Sequence, residues 1–112
     1  KFVATHRPES LAWGPVEALD RDTAAGIARV KAEGGADLIV WGSSTLTPLL
    51  IAEGLADEVV LLVFPVMIGR GKRIFSDQAA ASELRLVDSR ATPSGVVVST
   101  YKPAGPMRTG SF

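Results

Sequence analysis

The apolar positions along the chain switch between a strand-like and a helix-like period. Residues 2–5 form a short β-type stretch, and residues 6–14, with Pro8 and Pro15 near the ends, read as a loop. Residues 16–19 are compatible with a short strand. Asp20 or Asp22 then stands where a helix cap belongs, and Ala24, Ala25, Ile27, Ala28 and Val30 recur at helical spacing up to about Glu33. Gly34-Gly35 supplies the stop. Residues 37–41 are nearly continuous apolar sequence after one acid, the signature of a strand covered on both faces. A second helix is predicted from about Leu46 to Glu53, with Pro48 confined to its first turn and Gly54 ending it. Residues 58–65 predict another buried strand. A Gly-rich turn region covers residues 67–71. Leu84, Leu86 and Val87 around Arg85, then Pro93-Ser94-Gly95, then residues 96–101 predict an antiparallel hairpin. The order strand, helix, strand, helix, strand, hairpin is α/β, with a mixed, mostly parallel sheet flanked by helices.

Composition narrows what such a domain does. The chain has 112 residues, 46% hydrophobic and 21% charged, which is enough for one domain with a core and far from a disordered composition. Twelve basic residues balance twelve acidic ones, so the basic excess of a nucleic-acid binder is missing. There is no cysteine and one histidine, His6, which excludes a disulfide scaffold, a thiolate zinc site and a cysteine nucleophile and disfavours a histidine metal site. The longest apolar run, residues 59–68, is too short for a membrane span of about 20 residues. No basic head followed by an apolar run opens the chain, so a cytoplasmic location is expected.

Ligands of open parallel sheets bind beyond the carboxyl ends of strands, at helix starts. Trp41-Gly42-Ser43-Ser44-Thr45-Leu46 has that placement. Gly42 allows close backbone approach, the first-turn N–H groups favour an anion, and the hydroxyls of Ser43, Ser44 and Thr45 add donors. The same residues are what any helix start prefers, so phosphate binding and plain N-capping both fit the pattern. No lysine follows at P-loop spacing, and there is no GxGxxG. Thr5-His6-Arg7, after the first strand, is a second candidate, since arginine holds phosphate with fork geometry; a solvated loop is the alternative. Gly69-Arg70-Gly71-Lys72-Arg73 is a basic turn that fits an anion or plain solvent. Glu53, Asp57, Glu58 and Asp77 are scattered, and sequence names no proton donor.

The run Ala36-Asp37-Leu38-Ile39-Val40-Trp41-Gly42-Ser43-Ser44-Thr45-Leu46, then Leu49-Leu50, then Glu53-Gly54-Leu55-Ala56-Asp57-Glu58-Val59, resembles the reductase domain of riboflavin biosynthesis. That is the C-terminal (RibD C-terminal) domain of the bifunctional deaminase-reductase, within the dihydrofolate-reductase-like superfamily. Phe64-Pro65-Val66-Met67-Ile68-Gly69-Arg70-Gly71 and Phe75 resemble its next block, so the likeness covers residues 36–75. The start, Lys1-Phe2-Val3-Ala4-Thr5, and the Pro93-Ser94-Gly95-Val96-Val97 turn also resemble it.

The resemblance implies an NADPH-dependent oxidoreductase of the 5-amino-6-(5-phosphoribosylamino)uracil reductase type, passing hydride to a small heterocyclic substrate. It implies that Gly42, Ser43, Ser44, Thr45 and Leu46 lie along the cofactor pyrophosphate, and that Thr5, His6 and Arg7 hold the adenosine 2′-phosphate. In the riboflavin reductases proper a glutamate before the small-residue turn contacts substrate. Trp41 stands there in this chain, which points to an apolar or aromatic substrate. The family's first strand, early loop and first helix should precede Lys1, so residues 1–104 are expected to form a reductase-like domain lacking its N-terminal part, with residues 105–112 a flexible tail. A homodimer is expected, with no nucleic-acid or membrane partner. The alternative is a truncated, non-catalytic NADP-binding or dimerisation module.

Overall fold

A computed structural model of the chain describes residues 1–12, 14–75, 77 and 80–110. It divides into two units, Lys1–Trp41 and Gly42–Phe112, each described here by itself. Trp13 lies outside the described residues.

In the first unit, β1 (Phe2–Val3) and β2 (Glu17–Ala18) pair in parallel, with Phe2 opposite Glu17 and Val3 opposite Ala18. Both strands are shorter than the apolar stretches that announce them. A 3-10 turn, Pro8–Ser10, lies between them and starts on a proline, which needs no N–H partner there. Helix α1 (Thr23–Ala32) begins as the sequence predicts: the Asp22 carboxylate accepts the Ala25 N–H at 3.1 Å. Gly34 and Gly35 follow its end with φ of 73° and 116°. Val30 is its buried apolar residue, and Gly26 is buried too. A Cβ on Gly26 would sit 3.0 Å from the Asp20 backbone N and 3.5 Å from the Leu19 Cβ. The missing side chain therefore lets α1 approach the chain leaving β2.

The second unit opens on helix α2 (Leu46–Ala52), with Pro48 in its first turn. Its end is a Schellman motif: Leu55 N–H donates to the Leu50 carbonyl at 2.8 Å and Gly54 N–H to that of Ile51 at 3.2 Å, with Gly54 at φ 66°. Leu50 turns inward and is 7% exposed. Strand β3 (Val59–Val63) pairs antiparallel with β5 (Val97–Pro106), which pairs antiparallel with β4 (Ser82–Ala91), giving the order β3-β5-β4. The expected hairpin is therefore present. Its turn is tied by Thr92, whose Oγ1 accepts the Val96 N–H at 3.1 Å.

The ladder carries two bulges. Glu83 pairs with Gly105 and Leu84 with Pro103, which leaves Ala104 extra on β5; Leu86 pairs with Tyr101 and Asp88 with Thr100, which leaves Val87 extra on β4. Between them, Leu84 and Leu86 lie opposite Pro103 and Tyr101, on the sheet face that also carries Val59, Leu61 and Ser99. Val59 and Ser99 are buried there, and the Ser99 hydroxyl is 3.0 Å from that of Ser89.

Three expectations need correction. The sheet is not mostly parallel: among the described residues β1 and β2 are the parallel pair, and β3, β4 and β5 are antiparallel. Residues 37–41 are not a buried strand; no strand is assigned there, and Ile39 and Trp41 are 72% and 84% exposed. An apolar run becomes a strand when a neighbour takes up its N–H and C=O groups, and none among the described residues does. Residues 58–65 do contain a strand, but not a buried one. Among the described residues β3 hydrogen-bonds on one edge, and Val60, Leu62, Val63 and Phe64 are exposed.

Candidate functional site

The turn into α2 is built from two successive left-handed residues, Gly42 at φ 69° and Ser43 at φ 70°. Glycine reaches this region freely, and a Cβ on Gly42 would meet nothing within 4 Å. Ser43 is the one non-glycine residue with positive φ among the described residues. Its local bonds hold it there. Ser43 Oγ accepts the Leu46 N–H at 2.9 Å, and its carbonyl accepts the Thr47 N–H at 3.2 Å. Thr47 Oγ1 donates to the Gly42 carbonyl at 2.7 Å, and the Ser43 and Thr45 hydroxyls are 3.3 Å apart.

These bonds divide the predicted phosphate cradle. The N–H groups of Leu46 and Thr47 are already occupied inside the turn. Those of Ser44 and Thr45 have no acceptor among the described residues. They and the Ser44 hydroxyl are the donors left for an anion, and a pyrophosphate offers only acceptors, so the donor set fits it. Trp41 stands immediately before the turn with its ring in solvent.

In the first unit the Thr5-His6-Arg7 segment borders a concavity of about 340 Å³. Thr5, His6, Pro8, Glu9, Leu19 and Arg21 line it. Arg7 is not in that lining. Its N–H donates to Thr5 Oγ1 at 3.1 Å, and its carbonyl accepts the Ser10 hydroxyl at 2.8 Å. Thr5 and His6, expected at a phosphate site, line this concavity. Glu9 and Arg21 were not foreseen; the signal was a basic residue just past a short strand.

Charge nearby is partitioned. Arg29 of α1 holds Glu33 at 2.8 Å, Asp20 at 3.4 Å and Glu17 at 3.9 Å. The hydrogen bond and charge of Asp20, with Glu33 adding to them, raise the Arg29 pKa above its ordinary value, so this guanidinium stays charged. In the second unit Arg73 of the basic turn pairs with Asp77 at 2.8 Å. Among the described residues no three His, Asp or Glu side chains gather to hold a metal, and no helix is long and apolar enough to cross a membrane.

Comparison with known proteins gives these features a context. The sequence profile of the RibD C-terminal domain family matches residues 3–98. The uncharacterised protein YyaP of Bacillus subtilis (strain 168) is 36% identical over 73 residues, 65% of this chain and 39% of that protein. YwjB of the same organism, also uncharacterised, is 29% identical over 85 residues, 76% of this chain and 49% of its own length. The chain thus spans less than half of either relative. Among solved structures, a candidate riboflavin biosynthesis protein of Shewanella sp. PV-4 superposes with a TM-score of 0.72 at 22% identity, over 92% of this chain and 59% of that one. A pyrimidine reductase-like protein of Corynebacterium diphtheriae superposes with a TM-score of 0.65 at 18% identity, over 80% of this chain and 39% of that one. At those identities the likeness establishes the fold. Taken with the match over residues 3–98, it places the chain in the RibD C-terminal domain family, a reductase-like family of the riboflavin pathway.

Proposed function

We propose that the chain is an NADPH-binding reductase domain that serves hydride transfer to a small heterocyclic substrate. The observation that carries the reading is the Gly42-Ser43 turn, whose left-handed backbone leaves the Ser44 and Thr45 N–H groups without acceptors among the described residues at the start of α2. Within a reductase-like family, a row of free donors at that place suits the cofactor pyrophosphate.

NADPH, when bound, supplies the hydride; the chain's residues bind and orient it. The Ser44 and Thr45 N–H groups and the Ser44 hydroxyl hold pyrophosphate oxygens. Ser43 keeps the turn in shape through its bond to the Leu46 N–H. In the first unit, Thr5 and His6 border a concavity that suits the adenosine 2′-phosphate, where charge-assisted hydrogen bonds favour NADPH over NADH. Trp41 offers an aromatic face to substrate, which suits a flat heterocycle. A homodimer through β3 is part of the proposal, because Val60, Leu62 and Val63 are exposed on a strand bonded along one edge.

The test is a titration of the full chain with NADPH and, in parallel, with NADH. NADPH should bind more tightly, and Ser44→Asp should weaken both by placing an anion at the donors. Undiminished binding by Ser44→Asp would remove the pyrophosphate from this turn.

A further inference from the structure

We infer that Arg21 sets the preference for a 2′-phosphorylated adenine nucleotide, and that Glu9 opposes it. This rests on the cofactor reading above and adds to it a residue, past β2, that the Thr5-His6-Arg7 segment does not contain.

Three observations converge. Arg21 lines the 340 Å³ concavity together with Thr5 and His6, whereas Arg7 does not. Arg21 carries no ion pair among the described residues, although an acid flanks it on each side. Asp20 is bound to Arg29, and Asp22 accepts the Ala25 N–H as the cap of α1. Both flanking acids are engaged elsewhere, and Arg21 makes no ion pair with Glu9 across the concavity, so its guanidinium remains available to a ligand. Finally, Leu19 and Pro8 give the same concavity apolar wall. An apolar wall beside an unpaired guanidinium, an imidazole and a hydroxyl suits a base or sugar carrying a phosphate.

Glu9 lines the concavity too, with the wrong sign for a phosphate. A carboxylate there accepts hydrogen bonds from ribose hydroxyls and repels a dianion. The two side chains therefore pull selectivity in opposite directions: Arg21 toward the phosphorylated ribose, Glu9 toward the unmodified one.

The probes are adenosine 2′,5′-bisphosphate and adenosine 5′-monophosphate, titrated calorimetrically into the full chain. The parent chain should prefer the bisphosphate by about tenfold, the scale of one solvent-exposed charge-assisted contact. Arg21→Gln should cut that preference to about twofold or less with the monophosphate unaffected, Arg21→Lys should restore part of it, and Glu9→Gln should widen it. Circular dichroism melts should be unchanged, since Arg21 is exposed and unpaired. Preference that survives Arg21→Gln and Arg21→Lys but disappears in Arg7→Ala would overturn the inference and leave the cofactor reading standing. A parent chain that binds neither probe, or both equally, would overturn the cofactor reading and the inference with it.

Discussion

Ser43 sits where two energies of similar size oppose each other, and two substitutions separate them. Its Oγ accepts the Leu46 N–H at 2.9 Å, while its backbone is at φ 70°. Loss of such a capping bond costs about 1 kcal/mol, and a non-glycine residue in the left-handed region costs about 1 kcal/mol as well. Ser43→Ala removes the bond and keeps the strain, so it should destabilise by about 1 kcal/mol, or about 4 °C in melting temperature for a domain of this length. Ser43→Gly removes both, and should fall within about 0.5 kcal/mol of the parent. Urea unfolding followed by circular dichroism, run on all three chains, reads the differences. The decisive quantity is the order. Glycine less stable than alanine would mean that Ser43 is not strained, and alanine as stable as serine would mean that the hydroxyl does not cap α2. Either result would undo the account of how the turn is held, and with it the reason Ser44 and Thr45 retain free N–H groups.

Two further outcomes follow from packing. Gly26→Ala raises helix propensity by about 1 kcal/mol, but its Cβ would meet the Asp20 backbone N at 3.0 Å, so thermal melts should show net destabilisation; a gain would mean that α1 moves away from the chain after β2 at no cost. Leu62→Glu places a charge on the exposed side of β3, and sedimentation equilibrium should show the proposed dimer dissociating by about tenfold or more; an unchanged association constant would put the dimer contact elsewhere.

The elements legible in the sequence are those whose ends carry their own chemistry. α1 is bracketed by Asp22 and Gly34, α2 by Pro48 and Gly54, and the hairpin by Pro93-Ser94-Gly95; each signal acts over three or four residues and needs no distant partner. The resemblance likewise led to the family that the match over residues 3–98 establishes. What misled was apolar content without local punctuation. Residues 37–41 and 58–65 read as buried because they are apolar, yet burial depends on what lies alongside, and hydropathy does not name the neighbour. Ile39 in solvent, and β3 paired along one edge among the described residues, are the result. The candidate site divides in the same way. Ser43 and Ser44 were visible as small polar residues before a helix, but which N–H groups the turn consumes depends on two left-handed backbone angles. Arg21 escaped notice because it meets Thr5 and His6 only through the pairing of β1 with β2.

The paired bulges in the β4–β5 hairpin bear on how this chain is aligned with its relatives. Ala104 shifts the ladder by one residue and Val87 shifts it back, so both ends of the hairpin share one register and the stretch containing Arg85 follows another. A relative with an unbulged hairpin would differ by one residue in each arm and by none in the turn. Its alignment to this chain then requires two compensating single-residue gaps, inside the strands at Val87 and Ala104, and not the loop gap that is the usual choice for hairpins of unequal length. Placed at Pro93-Ser94-Gly95 instead, a two-residue gap would leave Leu84 and Leu86 matched but would set residues 88–91 and 97–103 against residues of the opposite sheet face.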